Sequence, residues 1–507
     1  MSIMIINNGK LQNLTNHAQL TGDKIPGDLD TWNYFGTDPN EILKLSYDIL
    51  CQRATTLYHT HPPVTAAINK QTAYAIGNGL VYRSQPDWQT LGITKEKAKD
   101  WGMRFQKLVH YAFLMLNYYE KQATLFCTSL IMGDSVLLFD RETPDENMPF
   151  DLIEIGGDQI NFQATPKGSE LITLGIIHDK FLRRKGFVLN DIQQSHIDFK
   201  DANGDQNAIQ FFDKKMARQL RGMPLSYRII SAAKNNDRWW DAMLARAVME
   251  STMLGFSKSD QTDTREQALR IAQEARGIDG ISANPASGLS TLTNTANMPT
   301  GSIMQLDSKG DFQFADLKTP SNNFDKLQTA YIECVGMATD TPPEVVMSKY
   351  STSFTAHKGA LNDFVKSYTQ KRFNFIRNVN KPVIREIAKW LFMENLIEMP
   401  NPKFFTDPII QEATLAGVWL GPVPGHINPA QEVGALVTAK DNAFITPADA
   451  AAQYGSREWD DQIEEWQQQM EEFQKMSPEK QAQALQQDIE KKTTSEIDIE
   501  GEQEVKE

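Results

Sequence analysis

Hydrophobic residues recur at helical spacing near the start of the chain. Over residues 39–57 they predict an amphipathic helix with Asp38 as its N-cap. A second helix is predicted from Pro62 to the turn signal Gly77-Asn78-Gly79. The apolar run at 80–82 then predicts a strand.

Helix and strand patterns are mixed up to residue 225, which predicts an α+β unit. Apolar residues keep helical spacing over 101–133. Two strands, 135–139 and 151–155, are predicted to pair as a hairpin. Two later apolar runs are expected to extend the same sheet: 174–178 and 187–190.

Two predicted helices flank a loop-rich insertion in the next part of the chain. Residues 229–254 contain no Gly or Pro and form one apolar stripe that includes Trp240. The stretch 277–320 is rich in Gly, Ser, Thr, Asn and Pro, which predicts a small β-containing module. Helical spacing returns at Phe324 and ends at Thr341-Pro342-Pro343, because proline lacks an amide donor.

The last third of the chain is predicted to be mainly helical. A helical pattern covers 358–398 and is interrupted by Pro382, where a kink is expected. An apolar stripe with heptad-like steps follows, and it predicts a helix that packs within its own subunit or against neighbours. Its members are Trp459, Ile463, Trp466, Met470 and Phe473. Beyond Pro478 the chain is rich in Gln, Glu and Lys and is predicted to be disordered at its end.

Composition and charge narrow the functional classes. The 507 residues are 40% hydrophobic and 23% charged, as in ordinary globular proteins. The formal net charge of -14 argues against a protein that holds nucleic acid by neutralising its phosphates, although a sliding contact with DNA stays open. Residues 457–507 hold 16 acidic and 6 basic residues, so most of the acidity belongs to the tail.

Cysteine usage and hydropathy favour a cytosolic, soluble protein. Cys51, Cys127 and Cys334 are far apart and show no paired spacing, which indicates neither a disulfide framework nor a zinc site. No apolar run is long enough to span a bilayer, and the N-terminus lacks the pattern of a signal peptide. No membrane contact is therefore expected.

Short catalytic motifs are missing from the sequence. There is no P-loop, nucleophile elbow, His-Glu-x-x-His pair or dinucleotide-binding turn. His59 and His61 could form a metal pair, but residues at such a helix start more often cap or pack. We expect no metal and no cofactor.

Two alternatives from other classes stay open at this point. One is a cytosolic α+β enzyme without a recognisable motif, in which Asp134 and Asp140 act with His178 as acid and base. The other is a helical cellular scaffold, which would also explain the missing motifs.

An ordered set of short segments runs along the chain. Its first members are Arg53–Leu57 with His61-Pro62-Pro63-Val64 and Ile76–Leu80, then Met132–Leu137, Leu174–Asp179, Arg221-Gly222-Met223-Pro224 and Met298–Ile303. The most specific member is Ala338–Glu344, followed by Tyr350-Ser351 and a basic helix. Near the C-terminus come Trp419-Leu420-Gly421-Pro422 and Ile427–Glu432.

Over roughly residues 30–475 this set resembles the lambda-type portal family of tailed bacteriophages. Asn428 stands where Asp is usual in that family, and Gln431 where Lys is usual. The order of the segments is far more specific than any one of them.

The resemblance implies a protein without enzymatic activity that is made in the host cytoplasm and built into the virion. It implies a homo-dodecameric ring at the unique capsid vertex, through which double-stranded DNA passes during packaging and ejection. The implied partners are the terminase large subunit, which is the separate ATPase, the head–tail connector or adaptor proteins, and the major capsid and scaffolding proteins. The missing P-loop agrees with a separate ATPase.

The resemblance also implies a mainly helical α+β portal fold with wing, stem, clip and crown regions. The implied order is 1–225 N-terminal arm and wing, 226–260 first stem helix, 261–320 clip, 321–345 second stem helix, 346–358 tunnel loop, 359–440 kinked long helix with the wing and crown return, 441–475 crown helices, and 476–507 acidic tail.

Two groups of residues are candidates for function under this resemblance. Lys349, His357 and Lys358 lie where the family's tunnel loop contacts passing DNA, although a solvated helix start would show the same residues. Trp239 and Trp240 point to different helix faces and are candidates for the subunit interface, with packing inside one subunit as the alternative.

Overall fold

The computed structural model describes most of the chain. The described residues are 4–7, 10–13, 38–44, 47–142, 148–166, 170–192, 194–259, 302–307, 311–314, 323–350, 354–422, 429–447, 450, 463, 466–467 and 469–471. The chain divides into two compact units. The first unit comprises Met1–Lys70, Leu130–Gly133 and Gly222–Phe364, and the second comprises Gln71–Ser129, Asp134–Arg221 and Val365–Glu507.

Helices dominate the described residues. They are α1 Pro39–Lys44, α2 Tyr47–Thr60, α3 Pro62–Ala75, α4 Trp88–Leu91, α5 Lys95–Met115, α6 Tyr118–Met132, α7 Ile230–Thr252, α8 Asn323–Thr339, α9 Pro343–Met347, α10 Phe354–Phe375, α11 Lys381–Met393, α12 Pro408–Thr414 and α13 Pro429–Asp441. The strands are β1 Met4–Asn7, β2 Lys10–Asn13, β3 Val81–Ser84, β4 Ser135–Asp140, β5 Asp151–Gly156, β6 Leu171–Thr173, β7 Ile176–His178, β8 Arg184–Val188, β9 His196–Asp198, β10 Ala208–Phe211, β11 Met253–Ser259, β12 Ser302–Asp307, β13 Asp311–Phe314 and β14 Gly417–Leu420.

The first unit confirms the predicted helices and the strands between them. Asp38 Oδ1 accepts a hydrogen bond from the Asn40 amide at 2.9 Å, as expected of an N-cap. The helix predicted over 39–57 is two helices, α1 and α2. α7 leads directly into β11, which pairs in parallel with β12 and antiparallel with β13. Residues 260–301 of the predicted β module lie outside the described residues.

The second unit holds three small sheets. β4 and β5 form the predicted hairpin, and β10 pairs with the other edge of β4. The expectation that 174–178 and 187–190 extend this sheet is wrong, because β6, β7, β8 and β9 form a separate four-stranded antiparallel sheet. Leu174 and Gly175, at φ 54° and 79°, make the turn between β6 and β7, so the strand begins only at Ile176.

One apolar core joins these two sheets within the second unit. It contains the buried residues Val136, Ile160, Ile176, Phe187, Ala208 and Leu220. The third sheet pairs β14 with β3, so that Trp419 lies opposite Tyr82. Two segments of the ordered set, separated by more than 300 residues, are therefore neighbours.

The break predicted at Pro382 is a π-helical turn. Residues Ile376–Asn380 form this turn between α10 and α11, immediately ahead of the proline. Asn380 is buried there, and its Oδ1 accepts a hydrogen bond from the Tyr118 hydroxyl at 2.9 Å. Burial raises the pKa of Tyr118 well above its ordinary value, so this hydroxyl remains a proton donor.

Candidate functional site

The approach to the site is a tight turn between α8 and α9. α8 ends at Thr339, and Asp340 adopts a left-handed conformation at φ 54°. The Thr341 amide then donates to the Gly336 carbonyl at 3.0 Å. A Cβ on Gly336 would lie 2.7 Å from the Thr341 carbonyl oxygen, so only glycine lets the chain return so closely. Pro343 starts α9 at a position where its missing amide costs nothing.

α9 presents a pair of residues to solvent at its C-terminal end. Val345 and Val346 are buried and anchor the helix. Ser348 is left-handed at φ 51°, and the amide of Lys349 donates to the Glu344 carbonyl at 3.2 Å. This cap turns the chain outward. Lys349 is exposed, and Tyr350 is 54% exposed.

His357, at the start of α10, is held from α9. Its Nδ1 lies 3.1 Å from Glu344 Oε2, and its ring meets that of Tyr350 edge-on with centroids 4.5 Å apart. We call Glu344, Tyr350 and His357 the α9–α10 latch. Because the carboxylate competes with any anion for the imidazole, His357 faces an acid rather than open solvent.

The structure brings together only part of the predicted DNA-contacting set. His357 joins the latch, Lys349 lies at the surface beside Tyr350, and Lys358 is half-buried on α10. Residues 351–353 lie outside the described residues. Contact of all three with DNA remains a prediction. Glu344 and Tyr350 lay inside recognised segments, but nothing in the sequence marked them as partners of His357.

The two adjacent tryptophans lie in different environments on α7. Trp239 is half-buried, whereas Trp240 is 45% exposed, and their ring centroids are 6.4 Å apart. The predicted apolar stripe of α7 continues with exposed Leu244 and Ala247. Neighbouring residues of the single chain therefore leave this stripe largely uncovered. Its role in a subunit interface remains a prediction.

His61 ties three helices together inside the first unit. Its Nδ1 lies 3.1 Å from the Tyr331 hydroxyl of α8, and its Nε2 lies 3.2 Å from Asp237 Oδ1 of α7. Burial, aided by the Asp237 carboxylate, raises the pKa of Tyr331 to about 12. Tyr331 is therefore a neutral donor to the imidazole. Within the described residues, no group of three or more His, Cys, Asp or Glu side chains could hold a metal ion.

The carboxylates of the enzyme alternative make local structural contacts. Asp134 is fully buried, where it accepts hydrogen bonds from Arg221 and, at 2.8 Å, from Gln210 Nε2. Asp140 Oδ1 accepts from the Glu142 amide at 2.9 Å. His178 lies 3.0 Å from the Thr173 hydroxyl and 2.8 Å from the Asp179 carbonyl through its two ring nitrogens.

The basic residues after the latch are partly interior. Lys371 is buried and donates to Gln71 Oε1 at 2.8 Å. Arg372 donates to the carbonyl oxygens of Tyr74 and Ala75 at 2.7 Å each, and so caps the C-terminal end of α3. The expectation that these two cations serve an ordinary surface role is wrong.

Comparison with known families identifies the class of protein. Residues 26–372 match the sequence model of a family described as phage portal protein, lambda family. The match covers more than half of the chain, so the protein belongs to the lambda family of phage portal proteins. The C-terminal segments of the ordered set, from Trp419 onward, lie beyond the matched residues.

Solved structures give fainter likenesses. A chain in the neck of a native gene transfer agent particle, computed with C12 symmetry, is 11% identical with a TM-score of 0.35, over 82% of this chain and 94% of that one. A chain in the virion of the native gene transfer agent particle is 10% identical with a TM-score of 0.38, over 80% and 92%. A chain in the neck of the empty particle, computed with C6 symmetry, is 12% identical with a TM-score of 0.35, over 80% and 93%. No curated protein sequence matches the chain.

Membrane-spanning helices were also sought. Within the part of the chain that the structure describes, no helix is both long and apolar enough to cross a bilayer.

Proposed function

We propose that this chain is the subunit of a dodecameric portal ring at the unique vertex of a phage capsid. The ring is a conduit for DNA during packaging by terminase and during ejection, and it is the docking platform for head–tail connector proteins. Membership of the portal family, established over residues 26–372, carries this proposal. Regions 1–225, 226–260, 261–320 and 321–345 are the proposed arm and wing, first stem helix, clip and second stem helix.

An uncovered stripe on α7 supports the ring. A closed ring of identical subunits requires two different complementary surfaces on each chain. Trp240 and Leu244 are large apolar side chains on an exposed helix face, and such faces mark interaction sites. In the proposed ring this stripe contacts the neighbouring subunit, while half-buried Trp239 packs within its own.

The α9–α10 latch supports a light contact with DNA. Lys349 and Tyr350 project from the left-handed turn at Ser348, and the latch fixes that turn from His357. Each neutralised phosphate adds a salt-dependent term to binding, so few cations suit a channel through which DNA must slide. Lys349 is the proposed phosphate contact, Lys358 supports it from α10, and His357 holds the turn.

Particle mass and shape test the ring. The full chain should form particles with twelve times the mass of one chain in mass photometry, with a central hole in negative-stain images. Because other head proteins can be needed for assembly, the same images are taken of procapsids made with capsid and scaffolding proteins. Procapsids that contain the chain but show no ring at a vertex would contradict the proposal.

Loss of packaging tests the DNA contact. Lys349→Ala and Lys358→Ala should leave procapsids assembled and reduce the amount of DNA packaged or retained, measured as nuclease-protected DNA per particle. Lys403→Ala, at an exposed lysine of the second unit, is the matched control. Full packaging by the double variant Lys349→Ala/Lys358→Ala would remove both residues from the contact.

A further inference from the structure

α5 has a second apolar face that its own chain does not cover. Its inner face buries Phe105, Val109 and Phe113. Its outer face, which we call the α5 outer face, consists of Met103, Arg104, Lys107, Tyr111, Leu114 and Met115. Tyr111 and Leu114 are 59% and 51% exposed. Four large apolar residues thus share one side of the helix with two cations.

The arrangement on this face is more specific than scattered surface residues. Met103, Lys107, Tyr111 and Leu114 follow one another at steps of four, four and three, so they form one continuous row along the helix. Residues 103–115 contain no Asp or Glu. A clustered apolar row with positive flanks marks an interaction site for an acidic, apolar partner.

The C-terminal stripe of the same sequence has the complementary chemistry. Ile463, Trp466 and Met470 lie at i, i+3 and i+7 in helical residues. Trp466 is 60% exposed and Met470 is exposed, so the chain itself does not bury them. Residues 463–471 contain Glu464, Glu465 and Glu471 and no basic residue.

We propose that the α5 outer face binds the 463–471 helix of a neighbouring copy of this chain. Apolar rows meet apolar rows, and Arg104 and Lys107 face the glutamates. Pairing of the stripe with its own copies would bring like charges together, which is unfavourable. The row on α5 spans about 16 Å and the stripe about 10 Å at 1.5 Å per residue, so the stripe fits along the row.

The proposal names one contact of the ring and rests on the proposed function only for the presence of a neighbour. Both surfaces are exposed in the single chain, so the contact is made between copies rather than within one.

Cysteine pairing between two copies tests the contact. In full-length chains carrying Cys127→Ser and Cys334→Ser, one preparation carries Leu114→Cys and the other Met470→Cys, while Cys51 stays buried. Mixed and mildly oxidised, they should give a disulfide-linked dimer several times more abundant than either gives alone. Ala202→Cys, at an exposed residue of the second unit, replaces Leu114→Cys in the control mixture.

Charge exchange adds a second arm. Arg104→Glu/Lys107→Glu in the first chain should reduce the mixed dimer several-fold, as should Glu464→Lys/Glu465→Lys in the second. Both pairs together should restore it, and added salt should weaken the unmodified contact.

The outcomes separate this contact from the ring itself, whose mass is measured in the same samples. Rings without the mixed disulfide would overturn the contact and leave the portal ring standing. A disulfide that forms only inside a chain carrying both cysteines would also overturn it. A mixed disulfide without rings would support the contact and count against the dodecamer.

Discussion

Two carboxylate–base pairs, one in each unit, differ in how completely the protein surrounds them. Asp134 and Arg221 of the second unit are fully buried, and Arg221 also donates to the carbonyls of Leu174 and Gly157 at 2.9 and 2.6 Å. Glu344 and His357 of the first unit keep 20% and 15% of their side-chain surface exposed, beside exposed Tyr350. The first pair connects strands, turns and loop ends of a fold, whereas the second shapes a surface segment. The comparison predicts that the first pair determines stability and the second determines function.

The largest expected effect is the loss of half of the buried pair. Asp134→Ala leaves Arg221 charged and unpaired in the interior, and should lower the free energy of unfolding by about 3–5 kcal/mol. Chemical denaturation followed by circular dichroism measures this loss. The double variant Asp134→Leu/Arg221→Met removes both charges and should recover much of it. Equal losses in the single and double variants would show that the unpaired charge is not the cause.

A smaller loss is expected from crowding the same pair. A Cβ added at Gly157 would overlap the Asp134 carboxylate and lie 3.3 Å from an Arg221 nitrogen. Gly157→Ala should therefore cost about 1–3 kcal/mol through displacement of the pair. Gly359→Ala on α10 is the control, because a Cβ there meets nothing within 4 Å. That control should be neutral or slightly stabilising, since alanine favours helix. An equal loss at both sites would contradict the crowding argument.

Partial exposure should make a third charge cluster depend on pH. Lys389 Nζ lies 2.7 Å from Asp205 and 2.9 Å from Glu386, and Arg141 bridges the same two acids. The hydrogen bond from Lys389 holds the pKa of Asp205 below its ordinary value of 3.8. Its contribution to stability is therefore present above the unfolded pKa and is lost as pH falls through the lower folded pKa.

Thermal melts across pH check this sign. Asp205→Asn should lower the melting temperature near neutral pH, and the difference from the unmodified protein should shrink as pH falls below about 4. A difference that grows toward acid would contradict the assigned role of Asp205.

The smallest effect on stability is expected at the latch. Glu344→Gln weakens a half-exposed pair and should cost less than about 1 kcal/mol of global stability. It should nevertheless speed hydrogen exchange at the amides of Ser348 and Lys349, because the turn loses its hold on His357. Unchanged exchange, or a global loss as large as that of Asp134→Ala, would erase the distinction between the two pairs.

Local periodicity was enough to predict elements whose neighbours lie close in sequence. The spacing over 229–254 predicted α7, and the alternation around 135–155 predicted the β4–β5 hairpin. The assignment of 174–178 to the same sheet failed because the choice of partner strand depends on packing around Phe187 rather than on local pattern. Sequence resemblance predicted the family, which is confirmed over residues 26–372.

The candidate site was less accessible to sequence reasoning. Lys349 and His357 were selected by position in the family pattern, but the partner of His357 is 13 residues away on another helix. Helical spacing relates residues three or four apart, so it could not connect Glu344 with His357 across the turn at Ser348. Arg372 was likewise assigned to the surface, because its partners are backbone carbonyls nearly 300 residues earlier.

The π turn at Ile376–Asn380 is a stored insertion within the helical stretch of the second unit. A π turn accommodates one residue more than the α-helical path requires, and such bulges occur within otherwise regular helices. Deleting one residue there would restore a regular helix and rotate residues 365–375 by about 100° relative to α11. The bond between Tyr118 and Asn380 would remain with the downstream part of the helix. A single codon gained or lost at this point is therefore enough for related chains to re-aim the upstream helix face without breaking the helix.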